Sequence, residues 1–106
     1  MRDYKKKMER YSIPREQYLE LRAFCLKEGA QPFVLSALHA EFGEAPDTLQ
    51  WWIFQHVTRT DYSWAYMEAH QIPCSKVTFY VYRRKFYWYL LKELKGGNQR
   101  DDVPVV

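Results

Sequence analysis

The 106-residue sequence predicts an all-α fold: a compact bundle of five to six helices ending in a helix-turn-helix with a long C-terminal helix. Three observations carry this expectation. Apolar residues recur at spacings of three and four along most of the chain, the period of one helix face. Proline and glycine (Pro14, Gly29, Pro32, Gly43, Pro46, Pro73, then Gly96-Gly97) cut the chain at helix-length intervals. No convincing strand competes. Val77 to Tyr82 is β-prone by propensity, but the unbroken run from Ser75 to Leu94 is too long for one strand.

Met1 to Tyr11 is basic and polar; it is either a short helix with Tyr4, Met8 and Tyr11 on one face or an arm. Ser12 and Pro14 mark a new start, a capping residue followed by a proline tolerated in a first turn. The helix that follows carries Tyr18, Leu21 and Cys25, with Leu19, Ala23 and Leu26, and Gly29 supplies its stop. Pro32 opens the next segment, with Phe33, Ala37 and Ala40 on one face and Val34, Leu35, Leu38 and Phe42 on another. Such wide apolar coverage predicts a central helix, ended by Gly43. Asp47 or Thr48 caps a helix through Leu49, Trp51, Trp52, Ile53, Phe54 and Val57. Adjacent tryptophans point about 100° apart on a helix, so one belongs to the core and the other to an edge or interface.

Asp61 or Ser63 caps a short helix with Trp64, Tyr66, Met67 and Ala69. Pro73 forbids its continuation, and Ser75 caps the last helix. Gly96-Gly97-Asn98 is expected to end that helix. The expected organisation is therefore one helical domain over residues 1–95, its helix-turn-helix at 61–95, with residues 96–106 as a flexible tail.

A chain of this length has room for one core. Its 47% hydrophobic and 27% charged residues describe a globular chain, not a disordered one. Aromatics reach 18%, nineteen rings, more than a small core absorbs, so some are expected at a surface or interface. The net charge of +3 is unevenly spread: +4 over residues 1–15, −5 over 16–75, +5 over 76–95 and −1 over 96–106. An acidic body between two basic ends suggests a localised anionic partner, although lysine and arginine also simply solvate helix faces. Cys25 and Cys74 form no disulfide framework. With a charged N-terminus and no apolar run of spanning length, this predicts reduced thiols, no membrane segment and a cytoplasmic protein.

On the last helix, Phe79, Phe86 and Leu90 share one face, and Arg83 falls on the same line. Either Tyr82 covers that gap, or the Arg83 stem packs there while its head reaches out. With that face inward, Lys76, Val77, Tyr80, Val81 and Arg84 project from the first turns. Those turns enter the major groove in a helix-turn-helix reader, which makes these five the candidate base-facing residues on double-stranded DNA. Ser75, Thr78, Arg83 and Lys85, with Lys5, Lys6 and Lys7 of the basic N-terminal segment, are candidate phosphate contacts.

Ile72 to Leu90, I-P-C-S-K-x-T-F-Y-x-Y-R-R-K-F-Y-x-x-L, resembles small phage and prophage proteins of Gram-positive bacteria. These include late-gene activators of the RinA and ArpU type and related phage families of unknown function. Ser75, Thr78 and Phe79 are also similar to the Ser-x-x-Thr-apolar pattern of sigma-factor region 4, while Arg83 stands where that pattern has an apolar residue. The resemblance covers about thirty residues and is weakly echoed at Ile13 to Tyr18. It implies an all-helical transcription regulator of phage origin.

Catalytic and metal chemistry find little support. His39, His56 and His70 share no ligand spacing, and Pro73 separates His70 from Cys74 with no second pair following. There is no glycine-rich phosphate loop and no G-x-S-x-G elbow. The reading is a DNA-binding regulator, not an enzyme, with no cofactor or metal. A single helix-turn-helix makes too few contacts for high specificity, so a homo-oligomer or an assembly with RNA polymerase or another phage protein is expected. Trp51 or Trp52 and Tyr87 to Tyr89 are the rings available for that interface. A protein-binding phage adaptor without DNA contact, and a small-terminase-like packaging component, are the alternatives.

Overall fold

The computed structural model describes residues 11–43 and 48–102, with side chains as far as Lys95. Five helices and no strand occur among the described residues: α1 (Arg15–Cys25), α2 (Gln31–Phe42), α3 (Thr48–Thr58), α4 (Trp64–Ala69) and α5 (Lys76–Asp102). The Met1–Arg10 part of the N-terminal segment, including Lys5, Lys6 and Lys7, lies outside the described residues, as does the candidate cap Asp47.

Local signals explain most boundaries, with two corrections at α1. Ser12 makes no cap; Pro14 occupies the N-cap position, and its carbonyl accepts the first helical bond from the Tyr18 N–H at 2.9 Å. The helix also ends earlier than Gly29, at Cys25. There, tighter bonds from Leu26 to the Ala23 carbonyl and from Lys27 to the Phe24 carbonyl close the last turn. Gly29 serves the following turn instead, at φ +95°, which a side chain would strain. In α2, Pro32 sits in the first turn and Gly43, at φ 81°, ends the helix with its N–H on the His39 carbonyl.

The break between α4 and α5 is made by residues before Pro73. The Gln71 N–H bonds the Glu68 carbonyl at 3.0 Å and the Ile72 N–H bonds the Met67 carbonyl at 3.1 Å, the two bonds of a Schellman motif. Gln71 takes the left-handed position of that motif, φ 61°, where glycine is usual. Ile72 and Met67 are both buried and complete it with an apolar contact. Ser63 caps α4 through the Tyr66 N–H, so of the two candidates Ser63 is the cap; Asp61 instead pairs with Arg59 at 2.9 Å. Ser75 caps α5, accepting from the Thr78 N–H at 3.1 Å.

The long helix is not stopped by Gly96-Gly97-Asn98; its backbone continues to Asp102. Glycine weakens a helix by about 1 kcal/mol relative to alanine but does not forbid one, whereas proline does. Of the segment read as a tail, residues 96–102 continue α5, and 103–106 lie outside the described residues.

The core lies between α5 and the apolar helix faces laid on it. α2 packs most extensively against α5, α1 also meets α5, and α3 packs against α2 and α1. Phe79, Phe86 and Leu90 are fully buried, as the spacing predicts, and meet Val34, Ala37 and Leu38 of α2, Leu21 and Cys25 of α1, and Ile53 and Val57 of α3 in one apolar cluster. Removing each large side chain from water contributes about 1.5–3 kcal/mol, which fixes the rotation of α5. α2 is narrower in its burial than its composition suggests: Phe33 and Leu35 are exposed. The tryptophan pair divides as expected, Trp52 against the core and Trp51 50% exposed. Tyr87 corrects another expectation. At 2% exposure it is a core residue, edge-on to Tyr18 at 5.1 Å, and not interface material. Trp88 and Tyr89 are half-buried and pack on the Tyr11 ring.

Candidate nucleic-acid interface

Anchoring Phe79, Phe86 and Leu90 inward decides what the start of α5 offers to solvent. Lys76, Val77 and Arg84 are exposed, Val77 at 68%, while Tyr80 and Val81 are half-buried. Lys76, Tyr80 and Arg84 are spaced by four, and Val77, Val81 and Arg84 by four and three, so the five candidates share one helical stripe. Ser75 and Thr78 are exposed at the helix start, their hydroxyls 3.1 Å apart.

Arg83 and Lys85, read as phosphate contacts, sit differently from their neighbours. Arg83 is half-buried. Its stem follows the apolar seam and its guanidinium lies over the Tyr80 ring at 4.3 Å and the Tyr18 ring at 5.7 Å. Nη1 is 3.1 Å from His56 Nε2. The His56 Nδ1 is 2.8 Å from the Tyr62 carbonyl, a partner that can only accept, so Nδ1 carries the proton and Nε2 accepts from Arg83. Burial, together with the Arg83 and Arg22 charges, pulls the His56 pKa below its ordinary value, which keeps this neutral arrangement. Tyr82 does not cover the gap in the seam; it stacks on Phe42 at 5.5 Å.

Lys85 is half-buried, with its ammonium over the Tyr11 and Tyr82 rings at 5.4 and 5.6 Å. Its charge also faces Glu41, whose two carboxylate oxygens are buried without a hydrogen-bond partner and whose pKa burial pushes up to about 8. Lys76 stands over Tyr80 at 5.9 Å and Lys92 over Trp88 at 5.0 Å. Among the described residues, the one ion pair is Arg59–Asp61, and none involves α5. No described carboxylate forms an ion pair with the cations of this helix.

The structure brings in residues that sequence reasoning did not single out. Arg15 and Tyr18 of α1, Arg22, and His56 of α3 surround Arg83. No local pattern announces His56, which lies 27 residues from Arg83 in the chain. Cys25 and Cys74 are free thiols, and burial pushes Cys25 up to about 12, far from a reactive thiolate. Among the described residues no three His, Cys, Asp or Glu side chains converge as metal ligands, and no helix is long and apolar enough to cross a membrane. Comparison with family models, with curated proteins and with solved structures gives no match.

Proposed function

We propose that this chain is a DNA-binding regulator of phage or prophage type that reads duplex DNA with the first turns of α5, α4 and α5 acting as its helix-turn-helix. The observation that carries the reading is the exposed stripe Lys76, Val77, Arg84, with Tyr80 and Val81 at its edge, on a helix whose other side is locked in the core. A recognition surface needs that rigidity, since side chains on a fixed helix lose less entropy on binding. Arg84 suits a guanine edge, Val77 a thymine methyl group, and Lys76 a base or phosphate. Ser75 and Thr78 offer hydroxyl donors to the backbone at the helix start. Lys85 and Arg83 are held by aromatic rings and serve the field of the surface more than direct contact.

Fluorescence-anisotropy titration of a mixed-sequence duplex over several salt concentrations tests this. Log affinity should fall linearly with log salt, with a slope of about −3 for three to four phosphate contacts. Lys76→Ala should make the slope shallower by about one. Duplex that stays free at low salt rejects the proposal.

One observation favours the adaptor reading in its place: exposed Trp51 and Tyr66 form a ring network with Trp52 and Tyr62, at centroid separations of 4.8–6.2 Å. Exposed aromatic clusters of this kind suit a protein partner. The two surfaces involve different residues, and a regulator that recruits RNA polymerase needs both.

A further inference from the structure

A cleft of about 430 Å³ opens between the start of α1 and the middle of α5. Arg15 enters it from α1 and Arg83 and Arg84 from α5; Ser12, Ile13, Tyr18, Tyr80 and Tyr87 complete its described lining, which holds no carboxylate. Three guanidiniums converging with no described carboxylate beside them favour an anion between them. Arg15 and Arg84 make no hydrogen bond or ion pair among the described residues. Arg83 is held from three sides, by Tyr80, Tyr18 and the neutral His56. Only one of its five N–H donors is spent, on His56 Nε2. A guanidinium immobilised by rings, still charged and still rich in donors, is prepared for an anion with several acceptor oxygens.

We propose that this cleft binds a small diphosphate-bearing ligand, its oxygens held between Arg83, Arg84 and Arg15. Three positive charges match two linked phosphates better than one. The volume lies within the range of small-molecule sites, and its lining includes the nearly buried Tyr87. The tyrosine rings beside the anion site give an attached planar group a surface to pack on. The ligand is free pyrophosphate or the diphosphate of a nucleotide; both present the same oxygens. The site uses Arg84 in common with the DNA stripe but neither Lys76 nor Val77, so it does not depend on the DNA reading.

Isothermal titration of the full chain at low ionic strength, with pyrophosphate, inorganic phosphate and ADP in turn, tests the site. Pyrophosphate should bind one to one and more tightly than phosphate. ADP binding tighter than pyrophosphate identifies a nucleotide ligand, and equal binding identifies the diphosphate alone; both support the site. Arg15→Ala, at an exposed position that leaves the fold intact, should weaken pyrophosphate by about tenfold or more, the effect of losing one charge-assisted hydrogen bond. Arg83→Lys keeps the charge and most of the stem but loses the fork; it should weaken binding likewise while thermal unfolding shows a folded chain. Lys76→Ala should leave pyrophosphate binding unchanged while weakening duplex. Absence of pyrophosphate binding, or equal losses in Arg15→Ala and Lys76→Ala, overturns the site and leaves the DNA reading standing. Duplex binding can fail in the same way without affecting it.

Discussion

Glu41 near the end of α2 makes the stability of this fold depend on pH in a direction opposite to that of most carboxylates. Both of its oxygens are buried without a hydrogen-bond partner, and burial pushes its pKa from 4.5 up to about 8, with the Lys85 charge pulling the other way. Below about pH 4.5 the carboxyl is protonated in the folded and the unfolded chain alike, and its burial carries no charge penalty. Between 4.5 and 8 the unfolded chain releases a proton that the folded chain retains. Each unit of rising pH in that window subtracts about 1.4 kcal/mol from stability, and the loss is complete above about pH 8. The ceiling is on the order of 5 kcal/mol, a large part of the stability of a small domain.

Glu41→Gln keeps the shape and removes the proton. It should leave stability nearly unchanged at pH 5 and raise it by about 3–4 kcal/mol at pH 8, the span of that window. Urea unfolding of both proteins at unit intervals from pH 5 to pH 8 measures it directly. Lys85→Met, by deleting a favourable charge, should widen the difference. Parallel pH profiles for the native protein and Glu41→Gln, or a Gln variant less stable at pH 8, would refute the assignment of a buried, uncompensated carboxyl.

Three further outcomes are expected. Gln71→Gly relieves the left-handed strain in the Schellman turn and should stabilise by about 0.5–1 kcal/mol, seen as a rise of a few degrees in Tm. Phe79→Ala empties the centre of the core and should cost about 3–5 kcal/mol, visible in a lowered urea midpoint with loss of near-UV circular dichroism. Ser75→Ala removes the cap of α5 and should cost about 1 kcal/mol, with faster amide hydrogen exchange at Val77 and Thr78 while exchange around Phe86 is unaffected.

Much of the helical outline was legible in the sequence because its determinants are local. Pro32 and Gly43 act through their own backbone, Ser63 and Ser75 through their own hydroxyls on a backbone N–H three residues on, and each sits where such a signal belongs. The seam Phe79, Phe86, Leu90 follows from the helical period alone, and so does the divergence of Trp51 and Trp52. What was not legible depends on contacts distant in sequence, or on several local options of similar energy. The end of α1 at Cys25 is one of several ways to close a last turn before Gly29, and no residue type distinguishes them. Gln71 in a left-handed turn goes against its own preference and is held by the burial of Ile72 and Met67.

Arg83 shows the limit most clearly at the candidate site. Its place on the apolar seam was visible, but what makes that place tolerable was not: Tyr18 and His56 come from two other helices. Tyr87 was misread for a related reason, since a tyrosine looks like surface material until α1 covers it. The stripe of Lys76, Val77 and Arg84, by contrast, follows from the seam by rotation, and their exposure agrees with that placement.

Amide chemical-shift mapping of the isotope-labelled chain with a mixed-sequence duplex at low salt shows whether the first turns of α5 meet DNA. Perturbations should concentrate at residues 75–84, with Lys76, Val77 and Arg84 among the largest, and fade as salt is added. A spectrum unmoved by duplex, or perturbations centred instead on Trp51, Tyr62 and Tyr66, would contradict that contact.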